Sequence, residues 1–172
     1  MKKGKVHIIF GTGMGKTAMA LGRGVSAAMH GRKVIMIQFL KGVLSHETAD
    51  GLKQLEPAFK VFRFEKQNEY YENLSEEGKK EEICNIQNGY NFAKKVLCTG
   101  ECDMLILDEF LGVLDQKLVG DDALETLLAA REENVDLILT GKVCPAGAEE
   151  HADEVTRLEC LKPSNDHACM NG

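Results

Sequence analysis

The chain has 172 residues, of which 44% are hydrophobic and 28% charged, a composition typical of one ordinary globular domain. Its 27 acidic and 21 basic residues give a formal net charge of −6, which disfavours a nucleic-acid partner because phosphate-backbone binding depends on Lys and Arg. Every apolar run is shorter than the roughly 18 residues that a membrane span needs, and the basic start of the chain precedes a run too short for a signal peptide. We therefore expect a cytoplasmic protein that does not associate with membranes.

The cysteines give no sign of a metal or redox site. The six of them are Cys84, Cys98, Cys102, Cys144, Cys160 and Cys169. They form no C-x-x-C pair, and no second pair at zinc-site spacing follows Cys98 and Cys102. We interpret all six as reduced thiols. The chain also offers no Ser, Cys or His constellation typical of a protein nucleophile.

Residues 6–17 predict an apolar strand that runs into a glycine-rich turn ending in Gly15-Lys16-Thr17. In a phosphate-binding loop, backbone N–H groups face a phosphate, a lysine reaches further out, and a hydroxyl is placed for Mg²⁺. Only three residues separate Gly11 from Gly15, although the usual motif has four. The candidate ATP-binding residues of this loop are Gly11, Thr12, Gly13, Met14, Gly15, Lys16, Thr17 and Ala18.

The helix predicted over 18–30 directs its positive N-terminal end at the same point. Its apolar stripe consists of Leu21, Val25 and Ala28. Gly22 and Gly24 lower the helix propensity, and we expect them to let the helix backbone lie close to the sheet.

The apolar run at 34–39 predicts a strand that is covered on both faces, as in a parallel sheet. Lys41 follows it, at the edge of an open α/β sheet where ligands bind, and is a candidate phosphate or ribose contact. A solvated loop lysine fits the spacing equally well. A short helix over 48–56 and a short strand over 61–64 come next, and Ser75 then caps a long amphipathic helix.

Residues 103–109 predict a buried strand that delivers Asp108 and Glu109 to its carboxyl end. Two carboxylates at this edge are what a nucleotide site needs to hold Mg²⁺. The pair is a weak signal alone and becomes strong together with the upstream Gly-Lys-Thr loop. Further elements are predicted from Asp122 (a helix), over 135–139 (a strand), over 145–152 (a helix) and over 155–160 (a strand).

This alternation predicts an α/β fold with a mainly parallel sheet and helices on both faces. We assign residues 1–162 to a single P-loop nucleotide-binding domain and 163–172 to a polar tail that we expect to be mobile. From the residues alone, the chain is a Mg²⁺-dependent domain that binds a nucleoside triphosphate. They do not indicate which bond of the nucleotide breaks.

The sequence resembles the ATP:corrinoid adenosyltransferase family in motifs that follow the family order over roughly residues 4–162. They are Gly11-Thr-Gly-Met-Gly-Lys-Thr17, Gly31-Arg-Lys-Val34 with Gln38-Phe-Leu-Lys-Gly42, Leu105-Ile-Leu-Asp-Glu109, Leu137-Ile-Leu-Thr-Gly-Lys142 and Ala152-Asp-Glu-Val155. Many ATPases share the Gly-Lys-Thr and Asp-Glu motifs, whereas the short loop together with Gln-Phe-Leu-Lys-Gly is much more specific.

The resemblance implies a RecA-like P-loop NTPase fold and an adenosyl transfer, in which a reduced Co(I) corrinoid attacks the ribose 5′-carbon of ATP and triphosphate leaves. The nucleophile then belongs to the corrinoid, so the protein needs none of its own. Family members hold ATP reversed in the loop, which gives the missing residue a reason. The resemblance also implies a homodimer, and a flavoprotein reductant is a candidate partner.

The implied ligands are ATP, Mg²⁺ or Mn²⁺, and the corrinoid. Lys16 would stabilise charge on the leaving triphosphate, and Lys142 would contact ATP. The implied metal residues are Thr17, Asp108 and Glu109, and the candidate corrinoid contacts are Phe64, Tyr70 and Tyr71.

Three features depart from the family pattern. The family usually has Lys at the position of Met14 and Arg at the position of Lys142. At the second position, a compact ammonium therefore replaces a planar guanidinium that can form paired hydrogen bonds. The chain contains no Trp, although many members pack a Phe- and Trp-containing segment on the corrinoid. The departures leave open a diverged, non-catalytic member that binds ATP or a corrinoid. The generic motifs alone leave open an unrelated RecA-like ATP hydrolase or kinase.

Overall fold

The computed structural model describes residues 3–40, 46–64 and 71–162, and they form a six-stranded parallel sheet with helices on both faces. The strands are β1 (Val6–Phe10), β2 (Val34–Gln38), β3 (Phe59–Arg63), β4 (Met104–Asp108), β5 (Asp136–Gly141) and β6 (Glu154–Arg157). Their order is β3-β2-β4-β5-β1-β6, and every neighbouring pair is parallel. The predicted α/β fold class is confirmed.

Five α-helices lie in the described part of the chain: α1 (Lys16–Met29), α2 (His46–Lys53), α3 (Glu76–Thr99), α4 (Phe110–Asp115) and α5 (Ala123–Ala130). Helices α3, α4 and α5 cover one face of the sheet, and α1 and α2 cover the other. Single 3₁₀ turns occur at Tyr71–Asn73 and Ala148–His151. None of the described helices is long and apolar enough to cross a bilayer.

Two helical predictions differ from the structure. Helix α4 was not predicted, because its six residues begin directly after the Asp108-Glu109 pair with no capping side chain ahead of them. The helix predicted over 145–152 is only the 3₁₀ turn at Ala148–His151, because Gly147 within the segment has a left-handed backbone (φ 82°) that does not continue a right-handed helix. Ser75 does cap α3, where its hydroxyl oxygen accepts from the Gly78 N–H at 3.1 Å.

The buried face of α1 is rotated from the predicted stripe, of which only Ala28 is buried. Ala20, Gly24 and Ala27 are buried, whereas Leu21 and Val25 are only half-buried at its flank. A Cβ on Gly24 would lie 2.5 Å from the Phe59 ring and 2.9 Å from Ile106 Cδ1, so this glycine does let the helix lie close to the sheet. Gly22 faces outward, where a Cβ would have nothing within 4 Å. The close approach therefore depends on small residues along a single line of the helix.

We expect Gly24→Ala and Gly22→Ala to have opposite effects on stability, because alanine improves helix propensity at both positions but has room at only one. Gly24→Ala should lower the free energy of unfolding by about 1–3 kcal/mol through overpacking against Phe59. Gly22→Ala should raise it by about 0.5–1 kcal/mol. Urea unfolding of both variants measures the difference, and equal stabilisation of the two would contradict the packing described for α1.

Candidate functional site

The loop between β1 and α1 has the backbone of a phosphate-binding turn. Gly15 adopts a left-handed conformation (φ 100°) immediately before the helix, a conformation that glycine permits at little cost. The N–H groups of the first turn of α1 have no intrahelical acceptor, and that turn carries no acidic side chain to occupy them. The Lys16 ammonium is buried and donates to the Gly13 carbonyl oxygen at 3.0 Å. Its remaining N–H donors and the helix N-terminus can bind an anion such as phosphate.

Two other strand ends hold this loop in place. The Gly11 N–H donates to the Lys142 carbonyl oxygen at 3.1 Å, just after β5, and the Gly13 N–H donates to the Leu158 carbonyl oxygen at 2.9 Å, just after β6. A Cβ on Gly11 would lie 2.2 Å from that same Leu158 oxygen. The loop can therefore rest against β6 only if this position is glycine. The Gly13 N–H is already used in this contact, so the phosphate donors of the loop lie later in it.

Asp108, the last residue of β4, is fully buried and accepts hydrogen bonds from three elements. Its Oδ1 accepts from Thr140 Oγ1 at 2.7 Å and from Thr17 Oγ1 at 2.9 Å. Its Oδ2 accepts from Gln38 Nε2 at 3.0 Å and from Thr17 Oγ1 at 3.2 Å. Hydrogen bonds of this kind favour the charged form of a buried carboxylate and fix its plane.

Glu109 follows with a left-handed backbone (φ 60°), which is uncommon for a residue with a side chain. Its N–H donates to Thr140 Oγ1 at 3.0 Å, so the threonine that donates to Asp108 also holds the next residue. Burial raises the pKa of the Glu109 carboxyl, the Asp108 charge raises it further, and Lys16 opposes both. The half-buried carboxyl therefore lies in a region where a cation would favour its ionised form.

The donor set fits a hard divalent cation that arrives with phosphate. No group of three or more His, Cys, Asp or Glu side chains that could hold a metal exists in the described residues, so these residues alone do not form a complete cage. Mg²⁺ typically takes one or two carboxylates and completes its shell with phosphate oxygens and water. The Thr17 hydroxyl gives its hydrogen to Asp108, which leaves its oxygen lone pairs for a metal. Thr17 and the Asp108-Glu109 pair are thus the residues that could hold Mg²⁺ or Mn²⁺.

Other predicted site residues lie less clearly at this centre. The Lys142 side chain is exposed, but its backbone touches the loop at Gly11. Phe64 packs on α3, with its ring centroid 5.7 Å from that of Phe92, and Tyr71 is half-buried against the same face. Both rings therefore contribute at least in part to core packing. Lys41 and Tyr70, predicted as ATP and corrinoid contacts, lie outside the described residues, as does the predicted tail.

Sequence reasoning missed Gln38 and Thr140 as members of the site. Both residues lie within the motifs that resemble the family, but the motifs themselves indicate no role for either side chain. Each is a fully buried polar side chain at or near the carboxyl end of a strand whose other residues are apolar. A polar residue that ends an apolar strand was the available signal.

A groove of about 580 Å³ along α1 is not part of this centre. Its lining includes Arg23, Arg32 and Met104. Met104 begins β4, so this end of the groove lies at the amino edge of the sheet, whereas ligands of open α/β sheets bind at the carboxyl edge.

The model of the family described as ATP:corrinoid adenosyltransferase BtuR/CobO/CobP matches residues 2–170. A relative named corrinoid adenosyltransferase from Escherichia coli (strain K12) is 26% identical over 169 residues, which cover 96% of this chain and 81% of the relative.

Two solved structures share the fold. A flagellar accessory protein, FlaH, from Methanocaldococcus jannaschii aligns with a TM-score of 0.62 and 16% identity, over 95% of this chain and 75% of that one. A KaiC-like protein from Pyrococcus horikoshii OT3 aligns with a TM-score of 0.55 and 17% identity, over 96% of this chain and 76% of that one. These structures support the RecA-like P-loop fold that the resemblance implied.

We expect Thr140→Val to lower the free energy of unfolding by about 1–3 kcal/mol, since the valine removes one of the three side chains that donate to buried Asp108 and removes the acceptor of the Glu109 N–H. Thr99→Val is the matched control, because Thr99 is exposed and bonds only within its own helix in the described contacts. The control should change stability by no more than about 0.5 kcal/mol. Urea titrations that give equal losses for the two variants would contradict the bridging role of Thr140.

Proposed function

The chain belongs to the ATP:corrinoid adenosyltransferase family, and we propose that it transfers the 5′-deoxyadenosyl group of ATP to the cobalt of a reduced corrinoid and releases triphosphate. The observation that carries the proposal is the family match over residues 2–170 together with a phosphate-binding loop whose Thr17 is bonded to Asp108. The transfer would serve the biosynthesis or salvage of cobalamin.

In the proposed reaction, the electron pair of Co(I) attacks the ribose 5′-carbon, a cobalt–carbon bond forms, and the bond from that carbon to the triphosphate oxygen breaks. Cobalt is oxidised as it is alkylated, and the electron pair of the broken bond leaves with triphosphate. No proton transfer is required at the reacting carbon. The nucleophile comes from the substrate, which agrees with a site whose described polar groups could bind phosphate and a metal.

The tasks left to the protein are orientation and charge stabilisation. Lys16 and the N–H groups at the start of α1 would bind the triphosphate and stabilise the negative charge that it gains on leaving. The glycine contacts with Leu158 and Lys142 would fix the loop, and with it the direction in which the 5′-carbon is presented. A loop one residue shorter than usual supports a nucleotide orientation different from that of ATP hydrolases.

Thr17, Asp108 and Glu109 would hold Mg²⁺ or Mn²⁺. Bound there with ATP, the ion supplies positive charge against the triphosphate oxygens. Asp108 would act mainly by orienting Thr17 and its neighbours, because its two oxygens already accept hydrogen bonds from Thr17, Gln38 and Thr140.

We also propose Phe64, Tyr70 and Tyr71 as corrinoid contacts, and Lys41 and Lys142 as ATP contacts. From the same resemblance we propose a homodimer, with a flavoprotein as the reductant of the corrinoid, and from the short apolar runs of the sequence we propose a cytoplasmic location. A reduced Co(I) corrinoid requires some reductant, since the transfer consumes the Co(I) state.

A diverged member that binds ATP or a corrinoid without turnover is the second candidate. It is favoured by Met14, whose side chain is 82% exposed in the loop, where the family usually has a lysine. Loss of one positive charge beside the triphosphate would weaken stabilisation of the leaving group.

The test is to incubate the protein with ATP, Mg²⁺ and chemically reduced cobalamin, and to follow formation of the light-sensitive cobalt–carbon bond by its absorption spectrum. Adenosylcobalamin together with intact triphosphate supports the transfer. No adenosylcobalamin above a protein-free control rejects catalysis and favours the second candidate, provided that ATP still binds. ADP and phosphate as products would instead indicate an ATP hydrolase or kinase.

We expect Lys16→Ala to lower ATP affinity or turnover by at least about tenfold, because the variant loses the buried ammonium at the phosphate site. Lys60→Ala removes an exposed lysine from β3 and serves as the control. Calorimetric ATP titration and the cobalt–carbon assay measure the two effects. Activity of Lys16→Ala within a few-fold of the parent would show that the loop assignment is wrong.

A further inference from the structure

Four side chains form a polar row across four adjacent strands at the carboxyl edge of the sheet: Arg63 on β3, Gln38 on β2, Asp108 on β4 and Thr140 on β5. Arg63, Gln38 and Asp108 are the last residues of their strands and are directly paired in register. Residues paired in this way point to the same face of a sheet, and here that face carries α1 and Thr17. The row therefore extends from the candidate metal site to a strand two positions away.

The hydrogen bonds along the row have only one consistent direction. Arg63 Nε donates to Gln38 Oε1 at 3.1 Å, and Gln38 Nε2 donates to Asp108 Oδ2 at 3.0 Å. A guanidinium group can only donate and a carboxylate can only accept, so the amide between them must turn its oxygen to Arg63 and its nitrogen to Asp108. Gln38 is fully buried, which means that water cannot replace either contact without a rearrangement.

Gln38 supplies the shortest contact to Asp108 Oδ2, while the two threonines lie closest to Oδ1. If the amide were reversed, its oxygen would face the Oδ2 oxygen, and two acceptors would repel each other. The carboxylate would then be held firmly on one side only. Its plane sets the direction of the Thr17 hydroxyl, so a loose Asp108 leaves Thr17 free to turn.

We propose that Arg63 is a positioning residue that fixes the orientation of Gln38, and through it the Asp108–Thr17 pair that would hold the metal of metal-bound ATP. The inference rests on the proposed function in that it takes Thr17 and Asp108 as the metal site. Arg63 acts at a distance, because the amide of Gln38 lies between it and the carboxylate.

The experiment compares ATP affinity in the presence of Mg²⁺ with ATP affinity in EDTA, both by calorimetry, for the parent and for Arg63→Met. Methionine keeps an apolar stem and removes the guanidinium. We expect the gain in affinity that Mg²⁺ gives to fall by about tenfold in Arg63→Met, a typical cost of losing an outer contact of a metal site. The affinity in EDTA should remain unchanged, because the phosphate donors of the loop are intact.

Lys60→Met is the matched control, since it removes one positive charge from an exposed position on the same strand. Its Mg²⁺-dependent gain should equal that of the parent. A general loss of structure in Arg63→Met would weaken both affinities by the same factor, so the ratio separates positioning from folding. An unchanged ratio, or equal weakening in Mg²⁺ and in EDTA, overturns the proposal.

A double-mutant cycle with Gln38→Leu tests the path. If Arg63 acts through Gln38, Arg63→Met should have no further effect on the ratio once Gln38→Leu is present. Additive effects of Arg63→Met and Gln38→Leu on the ratio would contradict the proposal that Arg63 acts through Gln38.

The cobalt–carbon assay and the affinity ratio distinguish failure of the proposed transfer from failure of the role of Arg63. A parent that binds ATP with a Mg²⁺-dependent gain but forms no adenosylcobalamin rejects the transfer and leaves the role of Arg63 to be decided by the ratio. A parent whose ATP affinity is the same in Mg²⁺ and in EDTA overturns both the metal assignment and the role of Arg63.

Discussion

A carboxylate that is fully removed from water must be supplied with hydrogen-bond donors, and the arrangement around Asp108 follows from that requirement. Its donors come from α1, β2 and β5, so a single charged group joins the helix that begins the nucleotide site to two strands of the sheet. Leaving the group unpaired would cost more than any one of these contacts contributes. The carboxylate therefore ties the start of α1 to two strands of the sheet.

Local signals in the sequence were sufficient for the strands and for the phosphate-binding loop. Apolar runs located the six strands, and glycine spacing located the turn before Lys16. Helix α4 escaped, because a left-handed Glu109 begins it without a capping side chain. The contacts of Gln38 with Asp108 and with Arg63 could not be predicted, because they depend on which strands become neighbours and in what register. That information belongs to the tertiary fold and not to any single segment.

The charges of the phosphate-binding loop and of the Asp108-Glu109 pair influence one another. Asp108 and Glu109 place two carboxyl groups beside each other. Burial and the Asp108 charge raise the pKa of Glu109, and the Lys16 charge partly offsets this rise. An exposed Met14 contributes no charge where the family usually has a lysine. In the proposed site, a cation that arrives with the nucleotide would therefore carry more of the charge balance, and the firm placement of Thr17 and Asp108 would matter more.

The contact of Gly13 with Leu158 has a consequence for the order in which the protein is made. The phosphate-binding loop leaves the ribosome well before the strand end that supports it, because most of the described chain lies between Gly13 and Leu158. A nascent chain that still lacks β6 has the complete glycine-rich motif and the Lys142 carbonyl that accepts from Gly11, but it lacks the Leu158 carbonyl that accepts from Gly13. The loop therefore gains its full backbone support only after β6 has paired with β1.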